Sequence, residues 1–176
     1  TGRGFYPYGR DPDQIRCVVV AIDKKTAYIF PGKSSPYFEP HTDFSQHPGL
    51  KEVINKSRLI MHNGQFDCGF LMQAGYKPKI FFDTMLAHYC LDEREYSHSL
   101  KELSKKHLGA PDWEQGIKKF LPTKASSYDL IPDEDLYGYA SQDATYNYQL
   151  YKGWLGDEMS GHRVFNDLLM PSANMF

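Results

Sequence analysis

The sequence predicts an α/β fold in which a small sheet is covered by helices. Three observations carry this expectation. The run Gln14 to Asp23 (QIRCVVVAID) is rich in β-branched residues and almost continuously apolar, as a strand buried on both faces should be. Strand-like segments come first and helical spacing dominates afterwards, which is the pattern of a sheet with helices packed upon it. The length of 176 residues suits one domain, which at this size hides roughly 70% of the surface its unfolded chain exposes.

Taken in order, residues 1 to 13 scatter Gly2, Gly4, Pro7, Gly9 and Pro12 among polar residues and read as an irregular lead-in. After the first strand, Asp23-Lys24-Lys25-Thr26 forms a turn, and Ala27 to Phe30, closed by Pro31-Gly32, is its hairpin partner. Arg58 to His62 (RLIMH) is a third short strand, ended by Asn63-Gly64. Phe66, Phe70, Leu71 and Ala74 recur at helical spacing in a helix from Gln65 to Ala74, stopped by Gly75. Ile80 to Phe82 is a strand stub, and a helix runs from Asp83 to Leu91. Ser99 to Leu108 is an amphipathic helix, with Ser99 as N-cap and Gly109 as stop. Residues 110 to 131 mix Pro, Gly, Lys and Ser and read as a mobile loop. A long helix then extends from Pro132 to about Trp154, with Pro at its first position and Asp133-Glu134-Asp135 at its positive end. A last helix covers about His162 to Met170 and stops at Pro171.

Composition narrows the function. Twenty Lys+Arg against 22 Asp+Glu, a net charge of -2 and a pI near 6.3 exclude a strongly basic nucleic-acid binder, which needs surplus cations to displace phosphate counterions. They leave room for an enzyme acting on nucleic acid, whose metal-holding carboxylates offset its phosphate-contacting cations. Three widely spaced cysteines, Cys17, Cys68 and Cys90, point to reduced thiols, each in an apolar stretch that suits a small core residue. No apolar run is long enough to span a bilayer, so the expected setting is cytoplasmic, with no membrane partner.

Two carboxylates sit where packing alone would not put them. Leu136, Ala140, Asp143, Asn147 and Leu150 share one face of the long helix, so Asp143 interrupts the stripe that should meet the sheet. An ionised Asp there needs a cation or hydrogen-bond donors. Tyr139, one turn earlier, can point its hydroxyl at whatever Asp143 holds. The bland alternative is a boundary Asp bonded to backbone beside an ordinary core Tyr. Asp67, in the first turn of the helix after Met61-His62-Asn63-Gly64, is satisfied by the helix dipole alone, yet it also lies at the carboxyl end of a strand, where ligand sites gather. Asp83, at the next strand-to-helix junction, most simply caps its helix.

Together these segments resemble a known family. Asn63-Gly64-Gln65-Phe66-Asp67, Phe82-Asp83-Thr84-Met85-Leu86, Ser99-Leu100-Lys101-Glu102-Leu103 and Tyr139-Ala140-Ser141-Gln142-Asp143 follow one another as in the 3′–5′ proofreading exonuclease domain of family A DNA polymerases, a DEDD exonuclease with Tyr in its third motif. The resemblance runs from about residue 14 to the C-terminus. It implies a ribonuclease H-like mixed sheet covered by helices, Asp67 and Asp143 as metal ligands, and Tyr139 as the residue orienting the attacking water. It places Asn63 and Phe66 at the DNA 3′ end and makes Asp83 a supporting residue. The implied cofactors are two Mg²⁺ or Mn²⁺ ions, hard cations that take carboxylate, phosphate and water oxygens and stabilise both the attacking and the leaving oxygen. The implied partners are a single-stranded DNA 3′ end and a C-terminal polymerase domain of the same parent chain. Residues 1–168 then form the exonuclease domain and 169–176 begin the connection to the polymerase, as Leu168-Leu169-Met170-Pro171 is similar to the segment leading into a polymerase thumb.

One departure matters. The family's first motif is Asp-x-Glu on the central first strand, usually followed by Thr-Thr-Gly, and Thr1-Gly2 looks like the tail of that motif with its strand absent. Asp112-Trp113-Glu114 matches the pattern by chance, because it follows the fourth motif in a Pro-flanked loop. With two carboxylates rather than four, residues 1–176 are expected to have little exonuclease activity. Lys101, Lys105, Lys106 and His107, with Lys118, Lys119 and Lys124 near Trp113, Phe120 and Tyr128, suit either a single-stranded track or an ordinary solvated face. His62 reads as packing, and no His pair has zinc-ligand spacing. The lead-in and compact insertions favour a phage or organelle polymerase, which would place the domain in a host cytoplasm or an organelle matrix. The rivals are a ribonuclease D-like RNA exonuclease and a catalytically dead scaffold that positions DNA.

Overall fold

In the computed structural model, residues 15–32, 47–94, 98–123 and 128–175 are described. The lead-in 1–13, the Thr1-Gly2 pair and Lys124 lie outside them.

The run expected as a strand buried on both faces forms β1 (Cys17–Ala21), which is only half-buried because it pairs antiparallel with β2 (Ala27–Pro31) in a two-stranded sheet, Val19 facing Ile29. The turn between them is closed by Asp23, whose carboxylate accepts the N–H groups of Lys25 and Thr26, both at 2.7 Å. Helix α1 (Pro48–Lys56) follows, an element the sequence reading omitted. Pro opens it, and Leu50 and Ile54, one turn apart, are buried against Val18, Val20 and Leu59.

Strand β3 (Leu59–Met61), helix α2 (Gly64–Gln73), strand β4 (Ile80–Asp83) and helix α3 (Thr84–Leu91) form a parallel crossover unit in which Met61 pairs with Asp83. Among the described residues the strands make two separate two-stranded sheets, one antiparallel and one parallel, rather than one continuous ladder. The coarse expectation of a mixed α/β fold holds.

Helix α4 (Leu100–Leu108) has Ser99 Oγ accepting the Glu102 N–H at 3.3 Å and Gly109 at φ 64° closing its end, the left-handed conformation glycine adopts without strain. The expectation of a mobile loop over 110–131 is corrected for its described part. Helix α5 (Gln115–Lys118) and a 3₁₀ turn at Tyr128–Leu130 lie within it, and Trp113, Ile117 and Ile131 are buried. These scattered apolar residues have no regular period, so only their three-dimensional convergence on Leu136 shows them to be core.

Pro132 precedes helix α6 (Asp133–Leu150) rather than occupying its first position. Arg16, just before β1, donates to the carbonyls of Tyr128 at 2.6 Å and Ile131 at 2.7 Å and pairs with Asp133. This buried clamp ties the start of α6 to the hairpin. Helix α6 packs on β1, β2 and β3 and thereby joins the two sheets. A π-helical stretch, Tyr151–Leu155, extends it into α7 (Gly156–Glu158).

The last helix is corrected at its end. A wide turn over Val164–Leu169 runs into α8 (Met170–Ala173), passing through Pro171, which sits in the first turn of α8 where its missing N–H is tolerated. Beyond it, the Asn174 side chain accepts from Ile80 N at 2.8 Å and donates to Ile80 O at 3.0 Å, completing the free edge of β4. The main core gathers Cys68, Ile80, Phe82, Leu103, Leu150, Leu155 and Phe165 between β4 and the helices. No described helix is long and apolar enough to cross a membrane.

Candidate active site

The site is built at the carboxyl ends of β3 and β4. Asn63 leaves β3 in the left-handed conformation, φ 54° and ψ 45°, which Asn tolerates better than most residues. Gly64 follows without room for a side chain, since a Cβ there would lie 2.7 Å from Met61 Cβ and 3.0 Å from Ile80 Cδ1. Asp83, 1% exposed, holds this corner together. Its carboxylate accepts from Gly64 N at 2.7 Å, Met85 N at 2.9 Å, Asn63 N at 3.2 Å and Leu86 N at 3.2 Å, capping α3 and pinning the start of α2. The tight corner turns α2 so that Phe66 and Asp67, in its first turn, both reach solvent. Phe66 is 45% exposed and packs edge-on to Phe70 at 5.1 Å.

The other half comes from α6. Buried Asn147 donates to Ile60 O of β3 at 3.1 Å, and its Oδ1 accepts from Thr84 Oγ1 at 2.6 Å. That places the face carrying Asp143, one turn earlier, toward the ends of β3 and β4. Asp143 Oδ1 accepts the indole N–H of Trp113 at 2.7 Å, and the Tyr139 hydroxyl donates to the same carboxylate. Tyr139 is also hydrogen-bonded to the hydroxyl of Tyr128.

The electrostatics bring the two carboxylates into one field. Asp67 is pushed up to about 7, first by the protein crowding around it and then by the Asp83 and Asp143 charges. It is nevertheless open to solvent by area. Asp143 is raised to about 6 by burial, against the lowering effect of its Trp113 and Tyr139 donors. Asp143 has the lower of the two values and ionises first, and its charge then opposes ionisation of Asp67. Burial and the Asp143 charge also raise the Tyr139 phenol, which therefore stays protonated.

Among the described residues no Lys, Arg or His pairs with Asp67 or Asp143. Two such oxygen donors, raised by burial and by neighbouring carboxylate charge, fit a hard divalent cation. No cluster of three or more His, Cys, Asp or Glu forms a ready-made metal cage among the described residues.

The basic track changes character. Lys101 pairs with Glu114 and, at 3.1 Å, with Asp112, while Lys118 lies 3.0 Å from Asp112 and 3.7 Å from Glu114. Asp112 and Glu114 are thus neutralised by lysines rather than free to hold metal, and Lys101 and Lys118 are engaged with them. His107 stacks on Trp154 at 4.0 Å. Lys105 and Lys106 remain exposed. His62 is not mere packing, because its Nδ1 lies 2.9 Å from Thr84 Oγ1 beside Asp83. Trp113 and Tyr128, read in the sequence only as aromatics beside a basic track, instead contact Asp143 and Tyr139. The one available signal for Trp113 was its place between two acids.

The chain is also similar to known proteins. A family profile described as 3′–5′ exonuclease matches residues 15–154. The chain is 28% identical over 133 residues to a DNA polymerase of Escherichia phage T5, an alignment covering 69% of this chain and 16% of that polymerase. It is 27% identical over 133 residues to DNA polymerase I of Aquifex aeolicus (strain VF5), covering 71% of this chain and 21% of that protein. The chain therefore spans only a small part of the relatives it matches.

Proposed function

The chain belongs to the 3′–5′ exonuclease family, and on that footing we propose that its site hydrolyses the 3′-terminal phosphodiester of single-stranded DNA within a ribonuclease H-like fold, as the proofreading domain of a DNA polymerase. The observation that supports this best is the shared field of Asp67 and Asp143, two carboxylates raised together with no cationic side chain among the described residues paired to either.

Asp67 and Asp143 would hold Mg²⁺ or Mn²⁺. Such ions, when bound, supply an activated water and neutralise charge on the phosphate. The chain's own groups do the rest. The protonated Tyr139 hydroxyl, fixed by its bond to Asp143, orients the attacking water. Phe66 offers an exposed ring on which a terminal base stacks, and the Asn63 amide contacts the sugar or phosphate beside it. Asp83 acts at one remove, keeping Gly64 and the start of α2, which carries Asp67, in place.

The unit proposed for this reaction is residues 1–168, with 169–176 beginning the connection to a polymerase domain. Its proposed place of work is the cytoplasm, that of the host for a phage enzyme, or an organelle matrix.

The test is digestion of 5′-labelled single-stranded DNA and RNA by the protein, with Mg²⁺ or with EDTA. Stepwise shortening of DNA from the 3′ end, lost in EDTA and in Asp143→Ala, supports the proposal, and Tyr139→Phe should be slowed less than Asp143→Ala. Cleavage that survives Asp143→Ala would refute it, and a preference for RNA would move the assignment to RNA processing.

A further inference from the structure

The segment Asp112-Trp113-Glu114 was left without a function by its sequence pattern, and the structure places its central residue against the metal-site carboxylate. Trp113 is 8% exposed, stacks on Tyr146 of α6 at 4.6 Å with 30° between rings, and gives its only polar hydrogen to Asp143 Oδ1 at 2.7 Å. Tyr146 lies one turn along the same helix from Asp143. The indole is therefore held to α6 by both its face and its edge.

Its backbone is anchored from the other side. Asp112 and Glu114, its two neighbours, are bound by Lys101 of α4 and Lys118 of α5. Each such partly exposed ion pair is weak alone, but four charges in one network on both sides of a single residue restrict how it moves. Ile117, four residues on, is buried with Ile131 and Leu136. The segment is thus fastened to α4, to α5 and to α6.

We infer that Trp113 is a positioning residue for metal binding: its indole N–H fixes the orientation of the Asp143 carboxylate, and the Lys101–Asp112–Glu114–Lys118 network holds the indole in place. This rests on the reading of Asp143 as a metal ligand given above. Groups that orient a ligating side chain commonly govern affinity by about ten- to a hundredfold.

The experiment uses Mn²⁺ alone, titrated into the purified chain and followed by the electron paramagnetic resonance of the free ion. Trp113→Phe keeps the ring on Tyr146 and removes the N–H, and it should weaken Mn²⁺ binding about tenfold or more while leaving the melting temperature in EDTA nearly unchanged. Asp143→Ala is the reference. If Asp143→Ala binds as well as the parent, the assignment of the metal site fails. If Asp143→Ala loses binding and Trp113→Phe binds as tightly as the parent, the positioning role alone fails.

A second readout does not depend on how Trp113→Phe folds. The chain has two tryptophans, so Trp154→Phe leaves Trp113 as the only indole emitter. Its emission should shift with Mg²⁺, with a half-saturation that matches Mg²⁺ protection against thermal unfolding. Emission indifferent to Mg²⁺ in a protein that Mg²⁺ stabilises would overturn the inference.

Discussion

Replacing Asp143 by Asn should make the metal-free domain more stable while weakening the metal binding proposed for it. Asp143 rises from 3.8 to about 6 on folding. A raised carboxylate destabilises the fold where the unfolded chain is ionised, so the penalty is absent below pH 3.8, grows between 3.8 and 6, and is full above that. At 1.36 kcal/mol per unit, 2.2 units set a ceiling of about 3 kcal/mol, and solvent contact with the partly open side chain cuts this to about 1–2 kcal/mol. Asn keeps an oxygen to accept the Trp113 N–H, and the Tyr139 hydroxyl can accept from the new amide. For a chain of this length the gain corresponds to a rise in melting temperature of roughly 2–8 °C. Thermal melts of both proteins in EDTA at pH 8 and near pH 4 measure it, and added Mg²⁺ should narrow the gap at pH 8 by stabilising only the parent. If Asp143→Asn melts below the parent at pH 8, by the same margin as at pH 4, the account of a carboxylate strained for metal binding is wrong.

Three other perturbations probe the frame around the site. Arg16→Met removes the Arg16–Asp133 pair and the Arg16 bonds to the Tyr128 and Ile131 carbonyls and should lower stability by about 2 kcal/mol or more in urea unfolding; a loss under 1 kcal/mol would show that the clamp is dispensable. Gly64→Ala drives a Cβ into Met61 and Ile80 and should cost about 1–3 kcal/mol, read as a lower denaturant midpoint with unchanged slope. His62 is lowered to about 4, chiefly by burial, so the unfolded state binds the extra proton between pH 6.5 and 4. The parent should therefore lose stability relative to His62→Gln as pH falls through that window, and equal pH profiles would refute it.

Much of the site's chemistry was legible because it is local. The Asn63 to Asp67 corner, the Asp83 junction, the Ser99 and Gly109 caps and the Tyr139–Asp143 spacing are each contained within one turn or one junction. Helix α1 was legible in principle, since Leu50, Val53 and Ile54 stand at helical spacing behind Pro48. What escaped reading was long-range. Trp113 meets Asp143 across 30 residues and Arg16 meets Asp133 across 117, and no periodicity encodes such pairs.

The sequence by itself determined the order of the motifs, the mixed α/β class and the residue types able to hold a hard cation, because these depend on neighbours along the chain. Only the tertiary structure decided that Asp67 and Asp143 share one electrostatic field, that Asp112 and Glu114 are engaged by lysines, and that an apparent loop supplies the donor orienting Asp143. The physical reason is that burial and Coulomb interaction depend on distance in space, which the packing of α6 across both sheets sets.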